Sequence, residues 1–129
     1  MSAFATSPVP MSAADPQPAL RVTRDQVGRR TVLSVTGEVD MASVSELRAA
    51  VDSALADGTA ELWIDLSRTG FMDSGGLHVL LDARRRLRDL NRRLAVICPG
   101  GAVRRLFEVA GVVEWLPVYE DRVAAHLAA

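Results

Sequence analysis

From Ala19 onward, short apolar runs alternate with apolar stripes at helical spacing, and this alternation limits the possible folds more than any other feature of the chain. Leu20 and Val22 begin a first strand. Val32 to Val35 form a second, with Leu33 and Val35 on one face, and Gly37 is expected to end it. Ser43 and Glu46 stand at capping-box spacing, so a helix should start there. Val44, Leu47, Val51, Ala54 and Leu55 make its apolar stripe as far as Gly58. Leu62-Trp63-Ile64-Asp65-Leu66 is a short, mostly apolar run, the pattern of a strand buried on both faces. A helix follows from about Ser74, with Leu77, Leu80, Leu81, Leu87 and Leu90 on its apolar face and His78, Asp82, Arg85, Arg86 and Asp89 opposite. Leu94 to Cys98 reads as the next strand and Pro99-Gly100-Gly101 as its turn. Val103, Leu106, Phe107 and Ala110 repeat at helical spacing, with Gly111 placed for a left-handed stop. A short strand near Trp115 to Val118 and a helix from Asp121 complete the series.

Strands alternating with helices predict an α/β domain with a mostly parallel sheet, crossover helices and an antiparallel N-terminal strand, joined by the short link before Thr31. The domain is expected over residues 19–129. Residues 1–18 hold four of the six prolines, Pro8, Pro10, Pro16 and Pro18, and one charge, Asp15, which is the composition of a disordered tail. Sites in such sheets collect beyond the carboxyl ends of the strands. Three loops meet that description: Gly37 to Ser43, Arg68 to Gly76 and Pro99 to Ala102.

With 129 residues, 49% hydrophobic and 24% charged, the chain can bury a core without disulfides. Cys98 is the single cysteine, so no internal bridge or thiolate metal cluster is expected, and a reducing cytoplasm is the simplest compartment. The N-terminus lacks a secretory pattern and no apolar run is long enough for a membrane span. All fifteen basic residues are arginine. Without lysine, a Walker-type phosphate loop, Schiff-base chemistry, a kinase fold and a two-component receiver are all disfavoured.

The stretch "FMDSGGL", Phe71 to Leu77, sets Ser74 between an acid and two glycines where a strand turns into a helix. One reading makes Ser74 the helix N-cap. A second makes it a phosphate acceptor at the positive end of a helix dipole, with Gly75 and Gly76 allowing a partner close approach. The two roles are compatible. A hydrolase nucleophile is disfavoured, because Met72 stands where the nucleophile elbow needs glycine, and neither His78 nor His126 has an acid to orient it.

Three segments, "GEVD" at Gly37 to Asp40, "LWIDLSRTGFMDSGGL" at Leu62 to Leu77 and "AVRRLFEVAGV" at Ala102 to Val112, resemble in order and spacing the STAS domain of bacterial anti-sigma factor antagonists. The resemblance covers nearly everything after the tail. It implies a binding module, with no enzymatic activity and no cofactor. Its partner would be an anti-sigma factor serine kinase, which phosphorylates Ser74 and so ends binding, and a serine phosphatase would restore it. Asp40 matches the acidic residue of the family's early loop, and Asp73 the acid before the acceptor. The implied partner-binding set is Asp40, Asp73, Ser74, Gly75 and Gly76. Gly75 departs from the family pattern, which often has Ser or Thr there. An alternative is a constitutive STAS scaffold subunit of a stress-signalling or lipid-transport complex, with Ser74 a cap only.

Arg84, Arg85, Arg86, Arg88, Arg92 and Arg93 form a basic helix end. It could attract nucleic acid or an acidic partner, but it reads more simply as a solvated face, and no interleaved aromatic platform for bases accompanies it. Trp63 and Trp115 are expected to be packing residues. Asp65 receives no role.

Overall fold

The computed structural model describes residues 20–128, so the expected tail, residues 1–18, lies outside the described residues. Strands β1 (Leu20–Val27) and β2 (Arg30–Val39) form an antiparallel hairpin. Val27 pairs with Arg30, and Gly28, at φ 61°, supplies the left-handed residue that a two-residue turn needs. Then follow α1 (Val44–Ala56), β3 (Glu61–Met72), α2 (Ser74–Asp89), β4 (Arg93–Ile97), α3 (Ala102–Ala110), β5 (Val118–Tyr119) and α4 (Arg122–Leu127). The sheet order is β1-β2-β3-β4-β5, and every pairing after the hairpin is parallel, as the alternation of periods predicts.

Parallel strands are covered on both faces, and the residues sort accordingly. Leu33, Val35, Leu62, Ile64, Leu66, Leu94 and Val96 meet α1, α2 and α3 in the main core, where Leu47, Leu80, Leu87 and Phe107 are fully buried. The intervening residues Val32, Trp63, Ala95 and Ile97 point the other way, onto Ala125 of α4. This second layer is thin and relies on polar contacts. Arg30 stacks 3.9 Å from the centre of the Trp63 ring, and the Trp63 indole donates to Glu61 at 2.8 Å. Glu61 also pairs with Arg30 and Arg93. Asp65 accepts from Ser67 and, at 2.8 Å, from Arg122, tying α4 to the centre of the sheet. That is the role the sequence left blank.

Burial alone would raise the pKa of both acids. The hydrogen bonds to Glu61 from Trp63 and Arg93, and to Asp65 from Ser67 and Arg122, outweigh it and hold both below their ordinary values of 4.5 and 3.8. Lowered carboxyl pKa values add stability above those ordinary values, and it is lost as pH falls through the depressed ones. The melting temperature should therefore drop in acid from about pH 4.5 downward. A Glu61→Gln/Asp65→Asn variant should lose about 2 kcal/mol at neutral pH and show a flatter acid limb. Melts across pH 2 to 8 would check both expectations. An acid limb as steep as that of the unsubstituted protein would contradict them.

Several local expectations need correction. Gly37 does not end its strand. It sits at φ 117° and β2 continues to Val39. β3 likewise runs to Met72, well past Leu66, with register shifts against β2 between Ser34 and Thr36 and between Gly37 and Glu38. Each shift leaves an extra residue on β3, the signature of a bulge. Ser43 occupies the N-cap position of α1 but makes no capping bond, because its hydroxyl donates to the Glu38 carbonyl at 2.7 Å and accepts from Asp40 N–H at 3.0 Å. Leu90 lies beyond α2 and is exposed, and Trp115 is 65% exposed in a loop before the two-residue β5. Cys98 is buried just past β4, and burial pushes its thiol up to about 11, leaving no thiolate nucleophile at neutral pH.

Candidate binding surface at the start of the second helix

The far ends of β2 and β3 build this surface. Val39 and Met72 are their last paired residues, and Asp73 N–H closes the ladder onto the Val39 carbonyl at 3.0 Å. Asp40 and Asp73 are thus the residues that follow one paired couple, which brings the two acids of the sequence reading together. The Pro99 to Ala102 turn does not join them. β4 makes its last pair with β3 at Asp65, seven residues before Met72, about 23 Å of strand. The first two loops share the tip of the sheet and the third is set back from it.

Each acid has one oxygen committed to local structure. Asp40 Oδ1 accepts from the N–H groups of Ala42 at 3.0 Å and Ser43 at 3.1 Å, which folds the loop into α1. Asp73 is the N-cap of α2, in extended conformation at φ −97°, ψ −175°, and its Oδ1 accepts from Gly76 N–H at 3.2 Å. This corrects the sequence reading. The cap is Asp73, and Ser74 is the first helical residue, exposed, with its hydroxyl unbonded among the described residues.

The two glycines differ. Gly75 is half-buried, and a Cβ there would lie 3.2 Å from the Asp73 carboxylate and 3.9 Å from Val44. Gly76 is buried, and a Cβ there would lie 2.7 Å from both Met72 Cγ and Val39 Cγ1. The close approach that Gly76 permits is that of α2 onto its own sheet. Only Gly75 of the pair lies partly open beside Ser74.

Sequence reasoning missed two neighbours. Met41 is 91% exposed in the Asp40 loop, and Phe71 is 46% exposed beside Met72, which the bulged end of β3 turns inward. From sequence, neither residue receives a role. Around Ser74 the chain therefore displays a hydroxyl, two carboxylates and two uncovered apolar side chains. A small surface of this kind suits contact with a protein. His78 and His126 are both exposed, on the surfaces of α2 and α4, and neither is hydrogen-bonded to an acid among the described residues. Among the described residues no group of three or more His, Cys, Asp and Glu could hold a metal, and no helix is long and apolar enough to cross a membrane.

The cap assignment makes a direct prediction. Asp73→Ala should cost about 1 kcal/mol of stability, whereas Ser74→Ala should stay within about 0.5 kcal/mol of the unsubstituted protein. Urea unfolding of the two variants decides it. A larger loss for Ser74→Ala would return the cap to the serine.

The family profile described as "Mlab, STAS domain" matches residues 22–118. An anti-sigma-B factor antagonist of Staphylococcus aureus is 28% identical over 88 residues, covering 68% of this chain and 82% of that protein. An anti-sigma factor antagonist from Mycobacterium paratuberculosis superposes with a TM-score of 0.79 at 29% identity, over 84% of this chain and 92% of the other. The anti-sigma factor antagonist SpoIIAA in its unphosphorylated form superposes with a TM-score of 0.69 at 25% identity, over 84% and 96%. The matched region contains nearly all of the hairpin and sheet and the loops around Ser74, and so the chain belongs to the STAS domain family.

Proposed function

We propose that this chain is an anti-sigma factor antagonist. In this reading it binds, through the surface around Ser74, an anti-sigma factor that is itself a serine kinase, and so frees the sigma factor that kinase holds. Phosphorylation of Ser74 switches binding off, and a serine phosphatase switches it back on. The chain is a regulator and not an enzyme, works in the cytoplasm where transcription takes place, and touches no nucleic acid itself.

The observation that carries this reading is the state of the Ser74 hydroxyl. It stands exposed on the first residue of α2 and has no structural bond to keep, since Asp73 holds the cap. The scaffold alternative gives Ser74 only a capping role, and that role belongs to Asp73. The relatives named as anti-sigma factor antagonists support the partner class, and the description of SpoIIAA in an unphosphorylated form marks phosphorylation as a feature of that protein.

Phosphate would add about −1.5 to −2 charges and three acceptor oxygens at this point. The start of α2 tolerates it in the free protein, where the N–H groups of Ser74 and Gly75 have no backbone acceptor among the described residues and the helix dipole is favourable. An interface would not. A partner seated on Met41 and Phe71 would have to desolvate the phosphate beside Asp73 and Asp40.

Release of sigma factor tests the reading. The unphosphorylated protein, mixed with a complex of its anti-sigma kinase and sigma factor, should displace the sigma factor, and a Met41→Ala/Phe71→Ala variant should need about tenfold more protein to do so. Sigma factor that stays bound at saturating protein would contradict it.

A further inference from the structure

A second surface lies at the opposite end of α2, about 24 Å from Ser74 by the rise of its 16 residues. A cavity of about 420 Å³ opens there between the end of α2, the start of β4 and the approach to β5. It is lined by Arg84, Arg88, Asn91, Arg92, Arg93 and Tyr119 among others. The arginines of the helix end do not share one fate. Arg85 pairs with Asp82, and Arg86 with Asp52 and Asp82, while Arg93 shares Glu61 with Arg30. Among the described residues Arg84, Arg88 and Arg92 have no carboxylate within ion-pair distance. The helix dipole accounts for cations in the last turn of α2. It does not account for several guanidinium groups from two elements converging on one concavity, where they repel one another unless an anion enters.

Arg84 and Arg88 also wall a neighbouring cleft of about 270 Å³, completed by Leu81, Arg85 and Trp115. The two cavities are therefore contiguous. Trp115, which the sequence assigned to packing, is 65% exposed at this junction. An exposed tryptophan flanked by Arg84, Arg85 and Arg88 has the composition of a protein-binding hot spot, which a partner would desolvate.

We infer that the arginine groove and the Trp115 cleft form a second docking surface, and that its occupant is an acidic polypeptide segment carrying an apolar side chain. Carboxylates of the segment take the groove, where Arg84 and Arg88 supply forked donors and Arg92, whose Nη1 donates to the Thr59 carbonyl at 3.2 Å, adds positive charge, and the apolar side chain rests on Trp115 and Leu81. A small polyanion would fill the groove and leave Trp115 uncovered. Single-stranded nucleic acid reads a succession of aromatic platforms along a basic track, and here one exposed indole stands beside arginine stems. This surface shares no residue with the one around Ser74.

Fluorescence anisotropy with a labelled peptide of glutamate and leucine tests the inference. The protein should bind it with an affinity that falls as salt is added, and should not bind the same peptide with glutamine in place of glutamate. Arg84→Gln/Arg88→Gln should weaken binding by about tenfold or more, Trp115→Ala should also weaken it, and Arg105→Gln, on the exposed side of α3, should leave it unchanged. Inorganic tripolyphosphate and a single-stranded oligonucleotide should compete poorly. Absence of peptide binding to the unsubstituted protein, equal binding of the glutamine peptide, or insensitivity to Trp115→Ala with strong competition by either polyanion would each overturn the inference. The first two arms use the unsubstituted protein and hold even if a variant misfolds.

Discussion

Gly76→Arg is expected to lose the native fold, while Gly75→Arg, one residue earlier, is expected to keep it and lose the partner. A Cβ at Gly76 would stand 2.7 Å from Met72 Cγ and 2.7 Å from Val39 Cγ1. Met72 can shift its flexible chain, but Val39 is stiff at χ1 and fully buried at the end of β2. Any side chain here forces α2 off the sheet, and arginine adds far more bulk than the space between Met72 and Val39 can hold. The combined loss should exceed about 3 kcal/mol, a large share of a small domain's total stability. At Gly75 the nearest group is the Asp73 carboxylate at 3.2 Å, which can yield by a few tenths of an ångström. Replacing glycine in the first turn also favours the helix, so stability should change by less than about 1 kcal/mol. The new side chain would stand beside Ser74 and block a partner. Thermal melts and a pull-down with the anti-sigma kinase separate the two sites. A well-folded Gly76→Arg protein would contradict the packing described at the root of α2.

The second large effect concerns binding alone. Ser74→Asp places a negative charge on the first residue of α2, where the dipole tolerates it and Asp73 still holds the cap. The variant should melt like the unsubstituted protein and bind the anti-sigma kinase at least about tenfold more weakly. Ser74→Ala should bind normally and resist phosphorylation. Ser74→Asn, close in size to aspartate and uncharged, separates charge from bulk. If the switch is electrostatic, Asn should bind better than Asp, and if it is steric, the two should fail together. Undiminished binding by all three variants would remove Ser74 from the interface.

Elements whose apolar period is strong were legible in the sequence, and so was the order of strands and helices. Phe107 and Val103 fall inward and Gly111 closes α3 at φ 71°, as their spacing predicts. What escaped were places where tertiary context overrides the pattern. Ser67, Arg68 and Gly70 are exposed and have no strand-like alternation, yet they belong to β3 because β2 pairs alongside them through two bulges. Those bulges also reset which residue faces inward, so that Met72 is buried and Phe71 is not. Asp73 and Ser74 are both good capping types, and only backbone angles decide between them. Ser43 has the right spacing for a cap and spends its hydroxyl on the Asp40 turn instead. Trp115 looks like core because it is apolar, but β5 is too short to carry it into the sheet. At the candidate surface, Asp40, Asp73, Ser74 and Gly75 were legible as a group, whereas the inward role of Gly76 and the exposure of Met41 were not.

The most direct test of the central claim is the affinity of the anti-sigma kinase for this protein before and after it carries one phosphate. Calorimetric titration of the two forms, with the phosphate located by peptide mass analysis and the fold checked by circular dichroism, reads affinity, site and integrity together. Phosphate is expected on Ser74, with an unchanged spectrum and binding weakened by about a hundredfold, the scale of a desolvated charge left unpaired at an interface. Phosphate on another residue, or equal affinity of the two forms with Ser74 modified, would contradict that claim.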